Sequence, residues 1–354
     1  MKYEVTKGRG ATLQIEGRFE SVSRERVDDG WGTADEELPP FKTTVTVDSA
    51  KSVIQRNDSP DLPFSLSLNA YRGCEHGCIY CYARPSHAYL NLSPGLDFET
   101  KLFAKPDAAK LLRAELAKPS YQCSAIALGS NTDPYQPIER EWKITRQILE
   151  VLAEHKHPVS IVTKSALVER DLDLLIQLSR DDLVQVFISV TTLDAELARN
   201  MEPRASSPRR RLQAIETLNE AGVPCGVMVA PVIPFLTDAE LEHVLQTAHQ
   251  HCARSAGYAL LRLPYEVKDL FKDWLATHYP LKAEHVMSRM RKMRGGREND
   301  PEFGSRFRGN GLFAELLEQR FSKACERMGF NLEDRSLDTK LFKPPSRNGQ
   351  MDLF

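Results

Sequence analysis

The sequence predicts an α/β fold, a partial barrel of six βα units carrying N- and C-terminal extensions. Three observations predict it. From Leu66 onward, short runs rich in β-branched residues alternate with segments whose apolar residues recur every three or four positions, the signature of parallel strands joined by helices. Six such runs occur. The 354 residues, 41% hydrophobic and 27% charged, suit one large core in an ordinary globular protein.

Taken in order, residues 1–62 form an N-terminal arm. It is polar, with VDDGWGTADEELPP rich in charge and turn formers, and is expected to be peripheral; only Thr43 to Val47 looks strand-like. The barrel core spans 63–288, with strands over Leu66 to Tyr71, Ser124 to Ser130, Val159 to Lys164, Val184 to Val190, Cys225 to Val232 and Tyr258 to Leu263. Between the first two strands, Ala108, Leu111, Leu112 and Leu116 mark a helix that ends at Pro119. Ser207 and Pro208 read as an N-cap and first helical residue, Gly222 as the matching C-cap, and Thr237 with Glu240 as a capping box. A basic, Gly-rich extension over 289–334 closes with an amphipathic helix, Leu312 to Met328, and 335–354 reads as an exposed tail. In such a barrel the chemistry gathers at the C-terminal ends of the strands.

The bulk numbers narrow the function. A net charge of -2 gives the whole molecule no strong pull on nucleic acid, so such binding needs a local basic patch. The first residues lack the apolar stretch of a leader, and no window approaches the roughly 20 apolar residues of a membrane span, so the expected location is the cytoplasm. Seven cysteines make a poor disulfide framework when three of them fall between Cys74 and Cys81. Cys123, Cys225, Cys252 and Cys325 are dispersed and read as small packed side chains.

The segment YRGCEHGCIYCYARP sets three thiols at C-x3-C-x2-C just after the first strand. Three thiolates on a four-iron cluster leave one iron open to bind and activate a substrate. A structural zinc site is the other reading, with His76 or His87 as the local fourth ligand. The polar residues Glu75, His76 and Gly77 exclude a run of core cysteines.

CEHGCIYC, with an aromatic before the last cysteine, resembles the radical S-adenosylmethionine superfamily. The likeness is to its spore photoproduct lyase-like branch, and it takes in GLDFETK (95–101) and SNTDPYQPIE (130–139), from about Pro60 to Leu263. It implies a 4Fe-4S cluster on Cys74, Cys78 and Cys81, and reductive cleavage of S-adenosylmethionine to methionine and a 5'-deoxyadenosyl radical. A reductant such as flavodoxin or ferredoxin is implied with it. The implied cofactor contacts are Tyr80 and Ala230 at adenine, Ser130 and Asp133, with Asn131 and Thr132, at the methionine amino group, and Lys164 and Ser189 at the carboxylate and ribose. Arg204 is a further cation for the carboxylate. Where the resembled lyases carry a cysteine that quenches the product radical, this sequence has Gly129, and Tyr82, Tyr89, Tyr135 and Tyr265 are the candidate hydrogen relays.

Two more features bear on partners. Arg289, Arg291, Lys292, Arg294, Arg297, Arg306 and Arg308 concentrate positive charge in twenty residues, able to follow the phosphates of DNA or RNA while Phe303 and Phe307 add stacking; a solvated loop is the alternative. QMDLF resembles the Q-L-x-L-F peptide that docks on the DNA polymerase sliding clamp, with Gln350, Leu353 and Phe354 as its anchors. The first functional reading is a radical enzyme acting on a nucleic-acid base in DNA repair or modification. The same chemistry on a protein or small molecule, and a non-catalytic metal-stabilised adaptor docked on the clamp, are its rivals.

Overall fold

In the computed structural model the described residues are 9–19, 42–332 and 336–345. The strands, in chain order, are β1 (Thr44–Val47), β2 (Ile54–Arg56), β3 (Leu66–Leu68), β4 (Tyr71–Arg72), β5 (Lys101–Ala104), β6 (Ile126–Leu128), β7 (Val159–Thr163), β8 (Val184–Ser189), β9 (Cys225–Val232) and β10 (Ala256–Leu260). The helices are α1 (Asp97–Thr100), α2 (Ala108–Leu116), α3 (Glu139–Trp142), α4 (Ile144–Glu154), α5 (Leu172–Ser179), α6 (Ala195–Met201), α7 (Pro208–Glu220), α8 (Leu241–Gln250), α9 (Val267–His278), α10 (Pro280–Lys292) and α11 (Leu312–Met328).

All six expected strands lie in one seven-stranded sheet of order β10-β9-β8-β7-β6-β3-β2. The six are mutually parallel, and β2 adds an antiparallel edge against β3, with Ile54 opposite Leu68. Helices such as α2, α4, α5, α7 and α8 connect them, as parallel strands require. The sheet is open, β10 at one edge and β2 at the other, which is the partial barrel the βα order predicts. One face is fully enclosed, by Val159, Ile161, Val186, Ile188 and Val227, while the alternate residues Ser160, Val162, Gln185 and Phe187 are partly buried on the other.

Local signals explain several helix ends. Ser207 caps α7 by accepting from Arg210 N at 3.4 Å, Pro208 fills its first position, and Gly222 follows its end at φ +79°. The helix expected over Leu312 to Met328 has those bounds and stops at Gly329 in the left-handed region. The capping box does not form. Thr237 Oγ1 accepts from Ile233 N at 2.8 Å, and Glu240 accepts from Thr192 Oγ1 and Leu193 N, so tertiary partners take both side chains.

Both extensions are more tightly held than their composition suggests. Ala11 and Thr12 are buried, Thr12 Oγ1 donates to Asp273 at 2.6 Å, and β1 pairs with β5 in a second sheet of order β1-β5-β4. At the other end Lys343 N donates to His155 O at 2.9 Å, and Phe342 packs edge-on against His157 at 5.2 Å. The clamp-like Gln350, Leu353 and Phe354 lie outside the described residues. No helix among the described residues is long and apolar enough to cross a membrane.

Candidate active site

The cysteine loop leaves β4 at Gly73 and is fixed from three directions. Cys74 N donates to Phe98 O at 3.0 Å, and Gln136, a fully buried side chain, accepts from Glu75 N and donates to Gly73 O. Arg84, also fully buried, binds the carbonyls of Gly77 and Cys78 and pairs with Glu99. Glu99 in turn accepts from the backbone N–H of Gly10 (3.0 Å) and Ala11 (2.9 Å), so the N-terminal segment closes the loop from behind. Gly77 needs its φ of +66°, and a Cβ there would meet Glu99 at 2.8 Å.

Cys74, Cys78 and Cys81 face one cavity with the strand ends. Its walls come from Asn131, Thr132 and Asp133 after β6, Thr163 and Lys164 at β7, Ser189 at β8, Ala230 and Pro231 in β9, and Leu260 to Arg262 at β10. Tyr80, Asp133, Lys164, Ser189 and Ala230 therefore line the same cavity. Ser130 does not line the cavity: its Oγ accepts from Asn69 Nδ2 at 3.4 Å and its carbonyl takes the Tyr82 hydroxyl. Tyr80 Oη turns to Glu202 and Thr191, leaving its ring and backbone toward the loop.

Asp133 is an organiser rather than a free acceptor. It receives Thr163 Oγ1 (2.7 Å), Lys164 N (2.8 Å) and Tyr135 N (2.9 Å), and His76 Nδ1 stands 3.3 Å away. Burial alone would raise its carboxyl, but His76 and these donors hold it at about 2, so it is a carboxylate at neutral pH. Beneath the loop lies a second buried carboxylate, Glu202, also held at about 2 against burial by Arg211 and Lys164 and bonded to Tyr80 and Thr191. Among the described residues Lys164 Nζ donates to Ala230 O, at 3.4 Å, and stands 5.9 Å from the Tyr80 ring, with no ion pair within 4 Å, on the wall of the cavity. Arg204 pairs with Glu75 at 3.2 Å instead of entering it.

Sequence reasoning missed Glu202 and Arg211 altogether; of the residues lining the cavity it read His76 only as a zinc ligand, and overlooked the place there of Arg262 and Phe307. The last two line the mouth and come from the sixth strand end and the basic extension. Of the candidate relay tyrosines only Tyr82 lines the cavity, whereas Tyr135 is sealed in the core. Gly129 lines it too, and a Cβ there would meet Val162 O at 2.0 Å, so packing excludes a cysteine.

The basic run corrects one expectation. Arg294 is 1% exposed and donates to the carbonyls of Leu261, Ser305 and Arg306, so burial removes it from any phosphate. Arg291 pairs with Glu284 and Glu298, Arg306 with Asp61, and Arg308 with Glu318. Lys292 and Arg297 are exposed.

The donor set fits an iron-sulfur cluster. Burial pushes all three thiols upward, so they persist as thiolates only against the positive charge of bound metal. Three thiols facing one cavity suit the separate corners of a polynuclear group.

A family model described as Radical SAM superfamily matches residues 68–248. An uncharacterized protein of Mycobacterium tuberculosis is 41% identical over 235 residues, covering 66% of this chain and 68% of the relative. One from Methanocaldococcus jannaschii is 32% identical over 173 residues, 49% of this chain and 62% of its own. Among solved structures, spore photoproduct lyase complexed with dinucleoside spore photoproduct superposes with a TM-score of 0.57 at 16% identity, over 81% of this chain and 80% of that one. A mutant of that lyase with AdoMet and the same dinucleoside bound matches equally, TM-score 0.57. At that identity the likeness is one of fold.

Proposed function

The chain belongs to the Radical SAM superfamily, whose enzymes bind a 4Fe-4S cluster and S-adenosylmethionine, and we propose that its radical chemistry is directed at a nucleic-acid base. In this reading Cys74, Cys78 and Cys81 hold the cluster. Bound together, cluster and S-adenosylmethionine supply a 5'-deoxyadenosyl radical once an external reductant delivers an electron.

The chain's own residues then bind and orient. Lys164 offsets the carboxylate of the methionine moiety as a point charge. Asp133 fixes the Lys164 backbone and His76, so the wall keeps its shape as ligands exchange. Thr132 and Asn131 take the place of Ser130 beside the amino group, and Ser189 and the Ala230 backbone border the ribose and adenine. Tyr82, next to Cys81, is the hydrogen donor within reach of a substrate radical, and the lining holds no fourth thiol. A thiol-quenched repair of thymine dimers therefore does not suit this cavity.

The observation that carries the reading is the opening of all three thiols onto the cavity that Lys164 and five strand ends enclose. Anaerobic reconstitution with iron and sulfide, then reduction in the presence of S-adenosylmethionine and a DNA oligonucleotide, tests it. The wild type should release 5'-deoxyadenosine and change the mass of the oligonucleotide, and Cys78→Ala should do neither. Zinc in anaerobically purified protein, or no release, overturns the enzyme assignment. Release without any change in DNA or RNA moves the substrate to a protein or small molecule.

A further inference from the structure

At the cavity mouth, aromatic rings and guanidinium groups alternate. The Arg262 guanidinium stands 5.8 Å from the Tyr82 ring centroid and 4.7 Å from that of Phe307. The Arg306 guanidinium stands 5.0 Å from Phe307 and 4.6 Å from Phe303. The series Tyr82, Arg262, Phe307, Arg306, Phe303 thus runs from the residue after the last cysteine to an exposed ring. Tyr82 is 47% and Phe303 59% exposed, so both ends present aromatic surface.

The series is held in place. Leu260 N donates to Phe307 O at 2.8 Å, and buried Arg294 ties the carbonyls of Ser305 and Arg306 to that of Leu261. Its two cations differ. Arg306 is taken by Asp61 and Ser59, whereas Arg262 Nε is buried with no hydrogen-bond partner among the described residues. An unpaired buried donor on a cavity wall is costly unless a ligand completes it.

Resting on the reading above, we propose that these five side chains form a stacking ladder for a single strand of nucleic acid, with one base passing Phe307 into the cavity and Arg262 donating to it. Rings at intervals can accept only bases whose faces are free, which a duplex does not offer, and the Arg262 guanidinium between Tyr82 and Phe307, with no ion pair among the described residues, suits a phosphate or base edge. The substrate is then single-stranded, or a base extruded from a duplex. Arg294 is a positioning residue for the ladder.

Full-length reconstituted protein and a fluorescein-labelled oligothymidylate of about ten nucleotides, a usual single-strand site size, provide the test by fluorescence anisotropy. Phe303→Ala, at an exposed position that leaves folding intact, and Arg262→Gln should each weaken binding about tenfold. Lys118→Gln, exposed after α2 and outside both the ladder and the basic run, should change it less than about threefold, and the matching duplex should bind more weakly than the single strand. Equal affinity for wild type and both ladder variants, or a preference for duplex, overturns the ladder while leaving the substrate reading standing. No binding to any oligonucleotide by a protein that still cleaves S-adenosylmethionine overturns both.

Discussion

Lys164 shows how one residue's role follows from what its neighbours leave undone. Its backbone is fixed by Asp133, and among the described residues its ammonium has one hydrogen-bond partner, the Ala230 carbonyl at 3.4 Å. The second carboxylate within electrostatic reach, Glu202, pairs directly with Arg211 and feels Lys164 only from beyond ion-pair distance. The Lys164 charge is therefore available to an incoming anion. A hydrogen bond to a charged group contributes about 1.5 to 3 kcal/mol, so Lys164→Met should weaken S-adenosylmethionine binding by about ten- to a hundredfold. Iron and sulfide content should stay at wild-type levels, because Lys164 is no ligand. Equilibrium dialysis of the reconstituted protein measures the first and colorimetric iron analysis the second. An unchanged affinity would mean that the carboxylate is met elsewhere on the wall.

At the scale of elements, the cysteine loop owes its shape to segments distant in sequence. Residues 10 and 11 bind Glu99, Glu99 pairs with Arg84, and Arg84 binds the loop carbonyls. A Cβ on Gly10 would stand 1.8 Å from the Gly77 carbonyl oxygen, backbone against backbone. Gly10→Ala should therefore displace the cysteine loop, lowering iron incorporation well below wild type, and should shift thermal unfolding downward; retention of full iron would show that the loop tolerates the N-terminal segment moving away. The sequence could not show this contact. The strands were legible because their β-branched runs and buried periodicity are local, and the cysteine spacing was legible because its ligands share one loop. The N-terminal segment is polar and unpatterned, and its burial depends on backbone donors meeting a carboxylate near residue 100. Arg294 misled for the same reason: a guanidinium within a basic run reads as solvated, yet three carbonyls from two segments enclose it. Ser130 and Asp133 differ likewise, since a register of one residue decides which side chain faces the cavity.

For the whole molecule, the parallel sheet gives two unlike faces. The C-terminal strand ends carry the cavity, whereas the C-terminal segment packs where strands begin: Lys343 and Asp338 bind the backbone at His155 and Asp182, ahead of β7 and β8. There Phe342 meets the ring of His157, whose Nε2 lies 2.6 Å from the Tyr121 hydroxyl. Burial holds His157 down to about 4, and burial does the same to His87 beside the cysteine loop. Above about pH 6.5, the ordinary value, each imidazole is neutral folded and unfolded, and the native state keeps its full stability. As pH falls from 6.5 toward 4, the unfolded chain takes up protons that the folded one refuses. Stability then drops by up to roughly 1.4 kcal/mol per pH unit for each histidine, or about 3 kcal/mol each over the interval; below 4 the histidine part levels off, while Asp133 and Glu202, held at about 2, lose theirs. His157→Phe keeps an aromatic packed on Phe342 and removes the His157 titration. Its unfolding free energy, followed by denaturant titration between pH 7 and 4, should fall with a slope shallower than wild type by about one proton. A slope identical to the wild type would show that His157 is hydrated and that the C-terminal segment does not seal this face.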